Sequence, residues 1–243
     1  MVKFILGHCS FENYDSEKKV LEFISENKHE FYRAMLWKPR TNPTNWQGIG
    51  EAGLEALIKL KKEFPQIKFV TEILNPNQYE LVKGVVDVFQ IGSRNSQNYD
   101  LLKFLGSLKN KTILYKRGFG MTIDEWIDGM EYLHCDQNEV IMCARGIRSF
   151  DTHFRFTPDL DAVIVLKDIF ADNPNVFIGF DPSHSAGNSK YVIPLAKAAL
   201  ALDIDFLEIE IHQDPSIAIT DKKQVLSFEQ FSEIEHLDFP HSA

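Results

Sequence analysis

The sequence predicts an α/β fold, a single (β/α)8 TIM barrel, from three observations. Short strand-like runs alternate with amphipathic helical patterns from one end of the chain to the other, which is typical of a parallel sheet covered by helices. Eight such units fit within 243 residues, the number and length of a closed barrel rather than an open sheet. Polar residues also follow the predicted strands, as expected where strand ends surround a ligand site.

The strands are predicted from short apolar runs, at residues 3–6, 32–37, 68–73, 88–91, 112–115, 139–143, 176–180 and 206–211. Helical patterns follow them at about 17–27, 50–64, 77–84, 98–108, 122–134, 158–171, 190–202 and 227–237. The seventh strand carries no charge, which suits burial on both faces. It ends at Asp181 and His184, which either belong to a site at the strand end or cap a turn and pack near the core.

Composition restricts the function classes. With 44% hydrophobic residues and no linker-like tract, residues 1–243 are predicted to form one domain. The net charge of −9 opposes binding to nucleic acid or an anionic membrane, because both require a basic face. No apolar segment is long enough for a signal peptide or a membrane span, so we expect a cytoplasmic protein. Cys9, Cys135 and Cys143 are an odd number, which favours free thiols or metal ligands over disulfides.

Polar residues at the predicted strand ends are candidate functional residues, although each alone could be an ordinary surface residue. They are Cys9, Lys38, Arg40, Thr41, Glu72, Ser93, Arg94, Asn95, Lys116, Arg117, Arg145, Arg148, Asp181, His184, Glu210 and His212. Because all strand ends of a barrel surround one mouth, their repeated position favours a shared site.

The segment Gly48-Ile-Gly-Glu-Ala-Gly53 matches the G-x-G-x-x-G dinucleotide fingerprint in the wrong context. A true fingerprint follows the first strand directly, whereas this one follows the second strand after a loop at residues 38–47. We interpret these glycines as the end of a loop and the start of a helix.

Cys9, His184, Glu210 and Asp221 form a candidate metal site. A thiolate, an imidazole and two carboxylates suit a borderline divalent ion such as Mn²⁺, Fe²⁺, Co²⁺ or Zn²⁺. Strands one and eight are neighbours in a closed barrel, which brings Cys9 close to Glu210. The alternative is a buried thiol, a capping histidine and two surface acids.

A second candidate set consists of cations at the mouth of an acidic protein. Its members are Arg33, Lys38, Arg40, Arg94, Lys116, Arg145 and Arg148. So many guanidinium and ammonium groups suit two phosphorylated ligands, or one ligand with two anionic ends. The alternative is a ring of surface ion pairs, each of which contributes little.

Several motifs together resemble the metal-dependent 3-deoxy-D-arabino-heptulosonate 7-phosphate (DAHP) synthases, in the branch shared with 3-deoxy-octulosonate 8-phosphate synthases. The resemblance covers nearly the whole chain. The motifs are Gly7-His-Cys-Ser10, Lys38-Pro-Arg-Thr41, Val70-Thr-Glu72, Gln90-Ile-Gly-Ser-Arg-Asn95, Lys116-Arg-Gly118, Cys143-Ala-Arg-Gly146, Asp181-Pro-Ser-His184 and Ile209-Glu-Ile-His212.

The resemblance implies roles for both candidate sets. It assigns the divalent metal to Cys9, His184, Glu210 and Asp221. It implies that phosphoenolpyruvate is held by Arg94, with Ser93 in the same motif, and by Lys116 and Arg145 at its phosphate, and by Arg33 and Lys38 at its carboxylate. Arg40 and Thr41 would hold the phosphate of the aldose.

The implied reaction joins C3 of phosphoenolpyruvate to an aldehyde, adds water at C2 and expels phosphate. Lys38 is the candidate for proton transfer to the new alkoxide, Glu72 for positioning water, and His184 for the metal-assisted step. The Lys-Pro-Arg-Thr form resembles the heptulosonate synthases, which favours erythrose 4-phosphate as acceptor and the shikimate pathway as context. The resemblance also implies a homo-oligomer, and we expect no appended regulatory domain because the first strand begins at residue 3.

Three departures leave other functions open. His8 stands where the family has proline, Ala144 where this branch has glutamate, and Lys222 where relatives commonly have glycine. One alternative is a related synthase that uses a different phosphorylated aldose. Another is a non-catalytic barrel that binds a phosphorylated metabolite, although such a binder would not require four metal ligands.

Overall fold

A computed structural model describes residues 2–235, and its centre is a closed barrel of eight parallel strands. Strands β1 to β8 are Lys3–Gly7, Phe31–Arg33, Lys68–Glu72, Val88–Ile91, Thr112–Lys116, Glu139–Ala144, Val176–Phe180 and Phe206–His212. Each strand pairs with the next one along the chain, and β1 also pairs with β8, which closes the ring. The predicted (β/α)8 fold is confirmed.

Helices cover the outside of the barrel. Helices α1 to α9 are Tyr14–Glu26, Leu54–Glu63, Pro76–Val82, Tyr99–Gly106, Ile123–Glu131, Leu160–Ile169, Pro182–Ala186, Ser189–Leu200 and Phe228–Glu235. A 3-10 turn at Gly50–Gly53 leads into α2, so the glycines of the false fingerprint do begin a helix. The short strand β9 (Leu226–Ser227) pairs with the end of β8. Residues 236 and 237 of the last predicted helix lie outside the described residues.

Capping side chains explain where most helices begin. Asn13, Asn75, Asn98 and Asn188 each accept a hydrogen bond from a backbone N–H in the first turn of the following helix. Thr122 forms a capping box with Glu125 at α5. Within the described part of the chain, every helix is too short or too polar to cross a lipid bilayer.

Three elements differ from the sequence prediction, and one of them is the short strand β9, which was not predicted. Strand β2 ends at Arg33 rather than at residue 37, because the backbone turns sharply and Leu36 N–H donates to the Ala34 carbonyl at 3.1 Å. Residues 34–36 are buried as loop, and a run of buried apolar residues does not distinguish loop from strand. The short helix α7 was not predicted. Asp181 caps it, and Pro182 occupies its first turn.

The barrel interior has two layers along its axis, because alternate side chains of each strand point inward. The lower layer, which we call the apolar floor, contains Ile5, Phe31, Val70, Val88, Leu114, Ile141 and Phe206. Two residues further along β2, β3, β4, β5 and β8 lies the charged layer, formed by Arg33, Glu72, Gln90, Lys116 and Glu208. The floor fills the barrel, and the charged layer faces the mouth.

Candidate active site

A cavity at the carboxyl ends of the strands contains most of the candidate residues. Seven cationic side chains and two carboxylates line it, so it is strongly positive in a protein of net charge −9. Its lining consists of Cys9, Arg33, Met35, Trp37, Lys38, Pro39, Arg40, Glu72, Gln90, Gly92, Ser93, Arg94, Lys116, Arg145, Arg155, His184 and Asp221. Such a cavity favours ligands that carry several negative charges.

The four candidate metal ligands converge at one side of this cavity. One donor atom from each of Cys9, His184, Glu210 and Asp221 lies within 4.8 Å of the others. The Cys9 Sγ lies 2.7 Å from Asp221 Oδ2 and 3.6 Å from His184 Nε2, and that nitrogen lies 3.1 Å from Glu210 Oε1. One soft, one intermediate and two hard donors in a compact group fit a borderline divalent cation.

The protonation states of these ligands depend on one another. Burial and the nearby Glu210 and Asp221 carboxylates raise the pKa of the Cys9 thiol. Burial opposes ionisation of Glu210, but His184 and Arg33 lower the pKa of this carboxyl to about 2. The site is therefore rich in negative charge even with a neutral thiol, and a bound cation would favour the thiolate.

Lys38 extends its ammonium group into the candidate metal site. Its Nζ donates to Asp221 Oδ2 at 2.7 Å and also contacts Cys9 Sγ. Burial opposes its charge, but Cys9 and Asp221 raise the pKa of Lys38, so the group is an ammonium at neutral pH. Lys38 can therefore donate a proton beside these two ligands.

A buried ion-pair network lies beneath the cavity. Lys116 Nζ donates to Glu208 at 2.7 Å and contacts Asp181 as well. Asp181 also accepts from the His184 backbone N–H at 2.9 Å, and its Oδ2 lies 2.7 Å from His184 Nδ1. Asp181 therefore caps α7, as the capping interpretation predicted, and orients the imidazole of a candidate metal ligand. An ammonium has three N–H groups, which leaves Lys116 one for a ligand in the cavity.

Arg33 is already paired with protein carboxylates. Its Nε lies 3.0 Å from Glu208, and its Nη1 lies 2.7 Å from Glu210. Arg33 lines the cavity, but these contacts also hold Glu210 in position beside His184. Arg33 thus supports the metal-ligand geometry in addition to facing the cavity.

Arg145 is a buried cation with unused hydrogen-bond donors. It is 4% exposed, its Nη2 donates to the His184 carbonyl at 3.2 Å, and its buried Nε has no hydrogen-bond partner among the described residues. Its guanidinium packs on the rings of Phe119 and Phe156, 5.0 and 4.6 Å from their centroids. Burial lowers the pKa of Arg145 to about 10. A buried guanidinium with unused donors is suited to bind an anion.

Ser93 and Arg94 follow β4 and lie at the same part of the cavity. In the part of the chain that the structure describes, the buried Ser93 hydroxyl has no hydrogen-bond partner, which leaves it available to a ligand. Burial and the neighbouring Arg155 lower the pKa of Arg94. Ser93, Arg94 and Arg145 line the same cavity, and we call them the phosphate cradle because donors of this kind suit a phosphate-sized anion.

Glu72 projects from the end of β3 into the cavity. Burial raises the pKa of this carboxyl, against the influence of Lys116 and Arg33. Among residues 2–235, its Oε1 has no hydrogen-bond partner, and its Oε2 accepts only a long bond from Gln90 Nε2 at 3.4 Å. A carboxyl with a raised pKa and a free oxygen can hold or accept a proton.

The two residues assigned to the aldose phosphate differ in their position relative to the cavity. Arg40 lines the cavity, whereas Thr41 is exposed and lies outside the lining. Arg148 is also exposed and outside the lining, with its guanidinium 5.5 Å from the centre of the Phe119 ring.

Comparisons with known proteins agree with this site. A sequence model described as the DAHP synthetase I family matches residues 1–239. The chain belongs to this family. It is 39% identical over 231 residues to a phospho-2-dehydro-3-deoxyheptonate aldolase of Thermotoga maritima, which covers 95% of this chain and 67% of that protein. It is 31% identical over 252 residues to a 2-dehydro-3-deoxyphosphooctonate aldolase of Campylobacter jejuni, covering 93% and 92% of the two proteins.

Solved structures give the same result. The crystal structure of the Thermotoga maritima DAHP synthase superposes with a TM-score of 0.86 at 38% identity, covering 96% of this chain and 66% of that chain. A truncated form of the Thermotoga maritima enzyme superposes with a TM-score of 0.82 at 36% identity, covering 96% and 83%. This chain therefore spans about two thirds of the full-length Thermotoga relative. The predicted family and fold are confirmed.

Sequence reasoning missed Arg155, which lines the cavity in this member of the DAHP synthetase I family. The residue lies on the long loop between β6 and α6, well beyond the strand end, so a search directly after each strand could not find it. Trp37 and Met35 were also missed, because they were assigned to the interior of a predicted strand. A cation in a long loop at the mouth was the available signal for Arg155.

His8, the departure from the family's proline, belongs to a buried polar cluster behind Cys9. Its Nδ1 lies 2.9 Å from Glu17 Oε1, and its ring stacks on His212 with centroids 4.2 Å apart at 27°. His212 Nε2 lies 3.3 Å from Glu12. One donor atom from each of His8, Glu12 and His212 lies within 4.8 Å of the others. The cluster joins the β1 loop to α1 and β8.

Proposed function

We propose that this protein condenses phosphoenolpyruvate with erythrose 4-phosphate to give 3-deoxy-D-arabino-heptulosonate 7-phosphate and phosphate. One observation carries the proposal: a compact Cys, His, Glu and Asp ligand set adjoins a cavity lined by seven cations. This combination suits a reaction between two phosphorylated substrates beside a divalent ion. Family membership supports the same reaction class.

The phosphoenolpyruvate phosphate is assigned to Arg94, Ser93, Lys116 and Arg145. Each has donors that protein groups leave unused or only partly used, and a phosphate requires several such donors around it. The carboxylate is assigned to Arg33 and Lys38, at the other side of the cavity.

The ion is assigned to Cys9, His184, Glu210 and Asp221, and its identity to Mn²⁺, Fe²⁺, Co²⁺ or Zn²⁺. The fit rests on the donor set, because these four atoms lie within 4.8 Å of one another. When bound, the ion supplies Lewis-acid polarisation. His184 is kept in position for it by its Nδ1 contact with Asp181 at 2.7 Å.

Lys38 and Glu72 are assigned the proton transfers. C3 of phosphoenolpyruvate bonds to the aldehyde carbon, and the aldehyde oxygen takes a proton from the Lys38 ammonium. Water then bonds to C2 and gives one proton to Glu72, which positions that water and whose Oε1 has no hydrogen-bond partner among the described residues. The C2 hydroxyl formed in this way becomes the C2 carbonyl as its proton passes to the neutral Lys38 amine, and the C–O bond to phosphate breaks with the bonding pair leaving on phosphate. The proton held by Glu72 passes to the departing phosphate.

The aldose phosphate is assigned to Arg40 and Thr41, with erythrose 4-phosphate as the acceptor. The 39% identity to the deoxyheptonate aldolase, against 31% to the deoxyphosphooctonate aldolase, favours the shorter aldose. The second candidate is a longer aldose phosphate. It is favoured by the nearly complete length match, 92%, to the deoxyphosphooctonate aldolase.

The wider assignments belong to the same proposal. They are a single domain over residues 1–243, a cytoplasmic homo-oligomer and the shikimate pathway leading to aromatic amino acids. They are supported by the family and by the absence of a bilayer-spanning helix among residues 2–235.

A phosphate-release assay tests the proposal. Metal-stripped protein is supplied with Mn²⁺, phosphoenolpyruvate and a panel of aldose phosphates of four and five carbons. We expect rapid phosphate release with erythrose 4-phosphate and loss of activity in excess chelator. Release with a five-carbon aldose alone would replace the acceptor, and release with none would overturn the function.

A further inference from the structure

Arg155 is held over the cavity by a loop that docks on α7. The loop at residues 145–159 is closed by Ile147 and Thr157, whose backbones exchange two hydrogen bonds of 3.0 Å. Gly187 ends α7 with φ +67°, and a Cβ there would lie 2.5 Å from Arg155 Cβ. The backbone at Arg155 can therefore lie this close to α7 only because residue 187 is glycine. This close packing sets the position from which the Arg155 guanidinium extends.

Protein groups neutralise the positive charge of the Arg155 guanidinium only in part. Its Nη1 donates to Gln224 Oε1 at 3.0 Å and to Asp221 Oδ1 at 3.4 Å. The first partner is neutral, and the second contact is long for an ion pair. Among the described residues, both hydrogen bonds use Nη1, which leaves Nη2 and Nε for a ligand.

Two other guanidiniums pack on the same pair of aromatic rings as Arg155. The guanidinium carbons of Arg145 and Arg155 lie 4.6 and 5.8 Å from the centre of the Phe156 ring. That ring stacks on Phe119, over which Arg94 and Arg145 lie at 5.5 and 5.0 Å. Three positive charges gathered at one cavity favour binding of an anion between them. A phosphate offers several oxygens to forked donors and is such an anion.

We propose that Arg155 is a further ligand for the phosphate of phosphoenolpyruvate and links the binding of that phosphate to occupation of the metal site. This inference rests on the proposed function. It adds a residue from the β6–α6 loop to the phosphate cradle at the ends of β4 and β6.

The link to the metal site runs through two contacts. Arg155 bonds Asp221 directly, and it bonds Gln224, whose amide donates to Glu210 Oε2 at 2.6 Å. A cation held by Asp221 competes with Arg155 for that carboxylate and repels the guanidinium. Arg155 is then free to bind phosphate, so metal and phosphoenolpyruvate strengthen each other's binding.

Calorimetric titration tests the inference without turnover. Phosphoenolpyruvate and inorganic phosphate are titrated separately into metal-stripped and Mn²⁺-loaded protein. In Arg155→Ala we expect Kd for both ligands to rise about tenfold to a hundredfold, the effect of a lost charge-assisted hydrogen bond. Mn²⁺ should tighten phosphoenolpyruvate binding by about fivefold or more in the wild type, and much less in the variant.

Lys190→Ala is the matched control, because it removes one positive charge from the exposed start of α8, outside the cavity lining. It should change each Kd by less than about twofold, as expected for a screened surface charge. Arg155→Lys retains the charge but loses the fork, and we expect an intermediate effect. If Arg155→Ala fails to fold, Arg155→Lys carries the test.

The outcomes separate the inference from the proposed function. Equal phosphoenolpyruvate affinity in the wild type and folded Arg155 variants overturns the inference and leaves the function intact. An equal Mn²⁺ effect in the wild type and Arg155→Ala overturns the link to the metal. If the wild type binds phosphate but not phosphoenolpyruvate, the proposed function is overturned. In that case, loss of phosphate binding in Arg155→Ala would still support Arg155 as a phosphate ligand. A wild type that binds neither overturns both.

Discussion

Cys9 is a single side chain whose removal should separate metal binding from folding. It is 5% exposed, and its Sγ contacts Asp221, His184 and Lys38 at the candidate metal site rather than filling the apolar floor. We expect Cys9→Ala to weaken Mn²⁺ binding by at least about tenfold while the thermal midpoint of the metal-free protein changes little. Competition with a chromophoric chelator and a circular-dichroism melt measure the two effects.

Cys143→Ala is the control for loss of a buried thiol, because Cys143 belongs to the barrel interior away from the ligand set. It should reduce stability without changing Mn²⁺ affinity. Unaltered affinity in Cys9→Ala would remove Cys9 from the ligand set.

Arg40 and Arg94 should respond differently to replacement by lysine. Both line the cavity, but Arg94 adjoins the phosphate cradle, whereas Arg40 is assigned to the aldose phosphate. Arg40→Lys should raise KM for the aldose phosphate about tenfold to a hundredfold and affect phosphoenolpyruvate much less, because lysine lacks the planar fork. Arg94→Lys should show the reverse. Steady-state kinetics with each substrate varied measure the two KM values. An equal rise of both KM values in both variants would contradict the assignment of Arg40 and Arg94 to different phosphates.

Individual site residues were predictable where chemistry coincided with a strand end. Cys9, His184 and Glu210 follow or end strands that the closed ring brings together, so their convergence followed from topology. Arg155 was not predictable in this way, because its position depends on how a long loop folds back on α7. Thr41 follows a predicted strand, yet the backbone turns before it and leaves it exposed, so its role in binding the aldose stays a prediction.

At the scale of elements, α1 is tied to the barrel by one buried carboxylate. Glu17 accepts from Tyr32 Oη at 2.6 Å and from the Glu12 backbone N–H at 2.7 Å, and it lies 2.9 Å from His8 Nδ1. Burial opposes a charge on His8, but Glu17 raises the pKa of its imidazole. We expect Glu17→Gln to lower the free energy of unfolding by about 1.5–3 kcal/mol, the contribution of hydrogen bonds to a charged group.

Glu22→Gln, an exposed change on the same helix, is the control for loss of one carboxylate. Urea denaturation followed by circular dichroism measures both variants, and Glu22→Gln should remain within about 0.5 kcal/mol of the wild type. Equal stability of the two variants would show that the Glu17 network does not stabilise α1.

The helices and strands were predictable where one face was buried and the ends were marked by turn or capping residues. Strand β4 was placed at the observed residues, and the predicted helix positions correspond to eight of the nine α-helices within residues 2–235. The short helix α7 lacks a periodic pattern of its own. Its position depends instead on Asp181 and Pro182, which cap and begin the helix. Both residues belong to the Asp181-Pro-Ser-His184 motif at the candidate site.

For the whole molecule, stability should fall steeply in acid. Burial opposes ionisation, yet His212 lowers the pKa of Glu12, and His184 and Arg33 lower that of Glu210, in each case from 4.5 to about 2. A carboxyl with a depressed folded pKa contributes stability above its unfolded value, and that stability is lost as pH falls toward the folded value. We therefore expect the free energy of unfolding to decrease between about pH 4.5 and pH 2.

Urea titrations of metal-stripped protein at a series of pH values measure this decrease. Glu12→Gln should show a shallower fall than the wild type, because one of the linked groups no longer titrates. A constant free energy of unfolding from pH 5 to pH 3 would contradict the expected linkage.

Closure of the barrel also sets when the ligand set can exist during synthesis. Cys9 and Asp221 are separated by 212 positions in the sequence, and Glu210 lies on the strand that pairs with β1 to complete the ring. During synthesis Cys9 emerges before the other three donors, which appear only when β7, β8 and the loop beyond have left the ribosome. An ion held by these four residues would therefore stabilise only chains in which the ring is complete.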